Sequence, residues 1–184
     1  MFSRIEGQPP RGGPPNDPDS GATDSVDEQS MKRVTAQFAA GVAVVTTRHA
    51  GGLHGLTVSA YLTVSWNPPL VLVSVETLSQ SCDYMIASGR YAVNFLSHLQ
   101  EFLAERFAGR APLVNAQFDG VPHHFESTGA PILEGVLGWL ECQVEQVIDA
   151  GDHTLFLGRV VKLGEGAKSK ALVYFARRYR SVEP

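Results

Sequence analysis

The 184-residue sequence lacks most of the features that announce a function on sight. Cysteine is scarce: only Cys82 and Cys142 occur, far apart and without CxxC spacing. Neither a disulfide framework nor a zinc site is expected from such usage, and a cytoplasmic location is the expectation. No apolar run reaches the roughly 18 residues that a membrane-spanning helix needs. The N-terminus has no apolar stretch behind a basic segment, so no secretory signal and no membrane association are expected. A cationic excess is missing as well, since 15 Lys+Arg stand against 19 Asp+Glu, a formal charge of −4. Residues 1–30 hold Glu6, Asp17, Asp19, Asp24, Asp27 and Glu28 against Arg4 and Arg11, so the whole net charge sits there. The balanced remainder is ill-suited to displacing counterions, and nucleic acid is not an expected partner. Walker A, GxGxxG, GxSxG and HExxH patterns are all absent. His123 and His124 are adjacent, and adjacent side chains on extended backbone point apart, so no metal site is expected.

What is present falls into two regions. Residues 1–30 contain five of the 11 prolines and little that is apolar beyond Phe2, Ile5 and Val26. Such a segment cannot offset its chain entropy by burial and is expected to be a disordered tail. Residues 31–184 are long enough for one domain with a sizeable core.

Within that domain, Met31, Val34 and Phe38 recur at helical spacing, which predicts a short helix over 31–40 ended by Gly41. From there the period becomes that of strands. β-branched or apolar runs over 42–47, 53–62, 70–75 and 91–96 read as strands, the third starting after Pro68-Pro69. A short helix is expected over 79–88 with Ser79 or Ser81 as its N-cap, and another over 100–107. Residues 108–135, rich in Gly and Pro, read as an irregular excursion. Two long strands over 138–148 and 153–163 are joined by a tight turn at 149–152, and 171–175 forms a last strand. About seven strands with two or three short helices and no βαβ alternation predict a mainly β, antiparallel barrel.

Three clusters carry the chemistry. In residues 54–69, Thr57, Ser59, Thr63 and Ser65 alternate with Val58, Ala60, Leu62 and Val64. Period two places the hydroxyls on one face, where they line a polar ligand or simply meet water, and the apolar residues toward the core. Thr77-Leu-Ser-Gln-Ser81 joins a strand to a helix. Hydroxyls and free backbone N–H groups at a helix start suit a phosphate, or serve only to cap the helix. Gly151-Asp-His153 lies at the hairpin turn, where Gly permits a positive φ and Asp152 either caps the turn or orients His153.

Taken in order, several stretches resemble the short-chain flavin reductases of the FMN-binding split-barrel fold, the reductase components of two-component flavin monooxygenases. They are Phe38-Ala-Ala-Gly-Val-Ala-Val-Val-Thr-Thr47, Gly55-Leu-Thr-Val-Ser-Ala-Tyr61, Val64-Ser-Trp-Asn-Pro-Pro-Leu-Val-Leu-Val-Ser74, Tyr91-Ala-Val-Asn-Phe-Leu96, Phe107-Ala-Gly109 and Gly151-Asp-His-Thr-Leu-Phe-Leu-Gly158. The resemblance spans residues 31–182, and the Gly-Asp-His turn is its most distinctive member.

The resemblance implies a Greek-key split barrel, a homodimer, and hydride transfer from NADH to FAD or FMN. Reduced flavin would then pass to a partner monooxygenase. By position, Thr57, Val58, Ser59 and Ala60 would meet the isoalloxazine edge, largely through backbone groups, while Val64 and Ser65 would flank the ring and ribityl chain. Ser79 and Ser81 would bind phosphate, and Phe107 and Ala108 the far end of the flavin. Gly151, Asp152 and the catalytic His153 would form part of the nicotinamide site, which Tyr179 would close. Ala40 and Arg177 stand where the family commonly has Thr and Gly, which leaves NADPH open beside NADH. The rival expectation is a flavin-binding protein on the same barrel without turnover.

Overall fold

The computed structural model describes residues 26–110 and 117–183. The expected tail therefore lies, through residue 25, outside the described residues, as does 111–116 of the excursion. Helix α1 (Glu28–Thr35) starts before the expected Met31. The reason is Asp27, whose carboxylate accepts from Ser30 N at 2.8 Å and makes it the N-cap. The helix stops at Thr35, and Gly41 does not end it: Gly41 lies in β1 (Ala40–Gly41), opposite Val173.

The remaining elements are β2 (Ala43–His49), β3 (Gly52–Val58), β4 (Tyr61–Trp66), β5 (Pro69–Glu76), α2 (Gln80–Ser88), β6 (Arg90–Phe95), α3 (Glu101–Phe107), β7 (His123–Phe125) and β8 (Pro131–Leu133). After them come β9 (Gly138–Ala150), β10 (His153–Glu165), β11 (Ala171–Phe175) and β12 (Arg178–Val182). Seven strands form one antiparallel sheet in the order β3-β2-β6-β9-β10-β5-β4, and β1-β11-β12 form a second. A third, β7 with β8, lies inside the stretch expected to be irregular. The architecture is the expected antiparallel split barrel with three helices.

The sheet has two apolar sides. Val45 packs with Val73, Met85 and Phe156 in one core, while its neighbour Val44 packs with Leu96, Leu103 and Phe107 in the other. A strand buried on both faces reads as a continuous apolar run, which is why residues 42–47 show no alternation.

The expected strand over 53–62 is two strands. The chain turns a corner at Ser59-Ala60, where the Ala60 carbonyl accepts from Ser74 N at 3.2 Å. The alternation of hydroxyls continues across that corner although the strand does not. Leu62 and Val64, expected to face the core, are 58% and 47% exposed, and Trp66 is 87% exposed. They lie on β4, the edge of the main sheet.

Two glycines of the quoted stretches are fixed by their neighbours. A Cβ on Gly55 would sit 2.7 Å from the Phe107 ring, so the strand and α3 can approach only without one. A Cβ on Gly158 would meet the Tyr91 hydroxyl at 2.1 Å. Elsewhere the backbone carries strain. The β11–β12 turn places Ala176 at φ 50° and Arg177 at φ 62°, both left-handed. Such turns favour Gly, Asn or Asp. Arg177→Gly is expected to raise stability by about 1 kcal/mol, read as a higher denaturant midpoint with unchanged slope.

Candidate functional site

The end of β3 and the corner after it form one wall of an open cleft, with Leu56, Thr57, Val58, Ser59 and Ala60 in sequence along it. β5 contributes Ser74, Val75 and Glu76 opposite, α2 and the residue before it contribute Ser81 and Ser79, α3 and its cap contribute Phe107 and Ala108, and β10 contributes His153. A smaller cleft shares Thr57, Val58, Ser59 and Ala108 and is completed by Val42, Arg110, Tyr174 and Tyr179.

Thr57 is held by a hydrogen bond from Oγ1 to the Ala104 carbonyl at 2.7 Å, which ties β3 to α3. Its hydroxyl hydrogen is thereby spent, so the Thr57 side chain has no proton left to donate to a ligand. Ser79 is the N-cap of α2: its hydroxyl accepts from Cys82 N at 3.2 Å and donates to the Glu76 carbonyl at 2.6 Å. The capping reading of this loop therefore holds for Ser79. Ser81 stands two residues further on, its hydroxyl 2.8 Å from His54 Nε2.

The hairpin turn is tied to the same region. Gly151 takes φ 69°, and Thr77 N donates to the Asp152 carbonyl at 3.0 Å. The Thr77 and Thr154 hydroxyls are 2.9 Å apart. His153 Nδ1 lies 2.7 Å from Asp152 Oδ1, and this contact holds the exposed Asp152 carboxyl below the usual carboxylate range. A neutral imidazole that donates from Nδ1 keeps Nε2 as an acceptor.

Thr57, Val58, Ser59, Ala60, Ser79, Ser81, Phe107, Ala108 and His153 thus meet around one cleft. Five of the expected residues do not line it. Gly151 and Asp152 lie exposed at the turn beside His153, and Val64 and Ser65 lie on β4 beyond the corner. Tyr179 belongs to the smaller cleft, with its ring centroid 5.3 Å from that of Tyr174. Burial and a hydrogen bond with Glu105 push the Tyr179 phenol above its ordinary range.

Sequence reasoning missed His54, Arg110 and Tyr174. His54 stood in the quoted stretch 54–69 but carried no spacing signal, and Arg110 and Tyr174 meet only through the fold. Hydrogen bonding to Tyr174 raises the Arg110 pKa. Among the described residues no cluster of His, Cys, Asp and Glu could hold a metal ion. His123 Nδ1 bonds the Val121 carbonyl and His124 Nδ1 bonds Glu134, each at 2.7 Å.

A split barrel with a hydroxyl-rich cleft at the end of its sheet, apolar walls and a helix start at one side defines a domain that binds nucleotide-like cofactors. The chain belongs to the flavin reductase like domain family, whose model matches residues 35–183. It is 33% identical over 161 residues to the reductase subunit HsaB of a flavin-dependent monooxygenase from Mycobacterium tuberculosis, covering 86% of this chain and 84% of that protein. It is also 33% identical over 174 residues to the FMN reductase (NADH) RutF of Ancylobacter novellus, covering 94% of this chain and 96% of that one. The NADH:FAD oxidoreductase SgcE6 of Streptomyces globisporus C-1027 superposes with a TM-score of 0.81 at 32% identity, covering 91% of this chain and all of that one. A further structure of SgcE6 holds NAD and FAD fragments.

Proposed function

We propose that the larger cleft binds FAD or FMN, and that the protein supplies reduced flavin to a partner monooxygenase. The protein is an NADH-dependent flavin reductase. The observation that carries the site reading is the convergence of Thr57–Ala60, Ser79, Ser81 and His153 on one cleft.

The residues fit a flavin. Leu56, Val58 and Phe107 supply apolar surface for a ring, and the α2 start with Ser81 supplies neutral donors for a phosphate. Bound flavin would supply the hydride acceptor. The chain's part is orientation: the backbone of Thr57–Ala60 holds the ring edge, and donors there favour the charge that develops on reduction. His153, locked to Asp152, presents Nε2 as an acceptor for an amide of the nicotinamide. Among the described residues no Lys or Arg lines this cleft, which suits weak, reversible holding of an anion that must leave after each turnover.

A homodimer is part of the same reading. Its support is the unpartnered apolar surface of a single chain: Leu62, Val64 and Trp66 on β4, and Met31 and Val34 on α1, all exposed. A cytoplasmic location is supported by two free, buried cysteines. No helix among the described residues is long and apolar enough to cross a membrane.

The test is steady-state NADH oxidation by the full chain with added FAD or FMN, repeated with NADPH. Flavin-dependent oxidation that is faster with NADH is expected. A protein that retains flavin but never oxidises either nucleotide would be the non-enzymatic binder instead.

A further inference from the structure

We propose that His54 is a positioning residue for the flavin phosphate, acting through the Ser81 hydroxyl. The inference rests on the reading that Ser81 faces that phosphate. Ser81 is buried in the first turn of α2 and borders the cleft. His54 lies on β3, outside the cleft lining, with Nε2 at 2.8 Å from Ser81 Oγ. Its ring is stacked on Tyr84 of α2, centroids 4.9 Å apart, so the imidazole cannot swing away freely.

The proton on Nε2 decides what Ser81 can do. A hydroxyl has one hydrogen. If Nε2 is bare, it takes that hydrogen, and Ser81 offers only lone pairs to the cleft, which an anion repels. If Nε2 carries the hydrogen, His54 donates to Ser81, and the hydroxyl is free to donate to a phosphate oxygen. Burial lowers the His54 pKa, so the ring is held neutral and one nitrogen alone carries a hydrogen. A bound phosphate therefore selects the tautomer with hydrogen on Nε2, and the pair passes a donor from β3 into the cleft.

Ser79 does not duplicate this role, because its hydroxyl already donates to Glu76. With no Lys or Arg lining the cleft among the described residues, the one hydroxyl that His54 orients carries a large share of phosphate recognition.

The experiment measures dissociation constants of FMN, FAD and riboflavin, which lacks phosphate, by flavin fluorescence for the full chain and its variants. His54→Ala is expected to weaken FMN and FAD about tenfold and to leave riboflavin within about twofold. His54→Gln, which keeps a side-chain amide donor, is expected to recover part of the loss. The double variant His54→Ala/Ser81→Ala is expected to bind FMN no more weakly than Ser81→Ala alone. Equal losses for riboflavin and FMN, or additive effects in the double variant, would overturn the proposal. If Ser81→Ala itself fails to separate FMN from riboflavin, the phosphate reading of Ser81 falls and this inference with it. If Ser81→Ala separates them and His54→Ala does not, only the inference falls.

Discussion

Replacing His153 with alanine is expected to raise KM for NADH about tenfold, while the flavin dissociation constant changes by less than about twofold. His153 opens β10 opposite Glu76 and borders the cleft, and its Nδ1 is engaged by Asp152. The turn that carries it is fastened by the Thr77 to Asp152 backbone bond and the Thr77–Thr154 contact. Removing the imidazole should therefore leave the turn in place and delete one oriented acceptor. In kinetic terms the loss belongs to kcat/KM for NADH. Collapse of flavin affinity with unchanged NADH parameters would show that His153 serves the flavin instead. Asp152 bears on the pH profile. Its carboxyl is held below the usual range by His153, so the pair stays intact as pH falls through the ordinary carboxylate range. The Asp152–His153 contact itself is expected to be lost only at more acidic pH, as Asp152 takes a proton.

Gly158→Ala is expected to cost about 3 kcal/mol, toward the upper end of overpacking effects. The added methyl would sit 2.1 Å from the Tyr91 hydroxyl and 2.7 Å from the ring carbon that bears it. Tyr91 is fully buried and cannot move aside without disturbing Val93, Cys142 and Phe156 in the same core. Strand β9 also bulges at Glu145, opposite the Leu157–Gly158 step of β10, so the glycine sits where the register changes. Tyr91→Phe in the same chain should recover part of the loss, because it removes the nearest atom but leaves the ring. Thermal unfolding of the three proteins is the measurement. A Gly158→Ala protein that melts at the unchanged temperature would contradict the packing described here.

These two residues show what one sequence discloses. Gly158 and His153 fall in one short stretch whose order beside Tyr91-Ala-Val-Asn-Phe-Leu96 was legible, and the fold supplies the reason: Tyr91 occupies the space that Gly158 leaves. The Ser79 cap, the β9–β10 hairpin and the long apolar strands were legible for local reasons, a hydroxyl before a helix, a glycine at a turn and runs of β-branched residues. The corner at Ser59-Ala60 was not, because alternating polarity has the same period on both sides of a bend. The apolar faces of α1 and β4 misled in the same way, since sequence marks a residue as apolar without saying what covers it. Asp27 read as one more acid of the tail until its bond to Ser30 made it a cap. β12 escaped notice because Arg178-Tyr-Arg180 offers only a single apolar side chain to the sheet. His54, Arg110 and Tyr174 join the site from separate elements, and no spacing along the chain announces such a meeting.

The most direct test is anaerobic. The full chain is mixed with FAD or FMN and then with NADH, and the oxidised flavin absorbance band is followed within one turnover. Bleaching at a rate that saturates with NADH, fastest in the unaltered protein and slowed at low NADH by His153→Ala, is the predicted result. Flavin that binds in the cleft and stays oxidised under excess NADH would contradict the account.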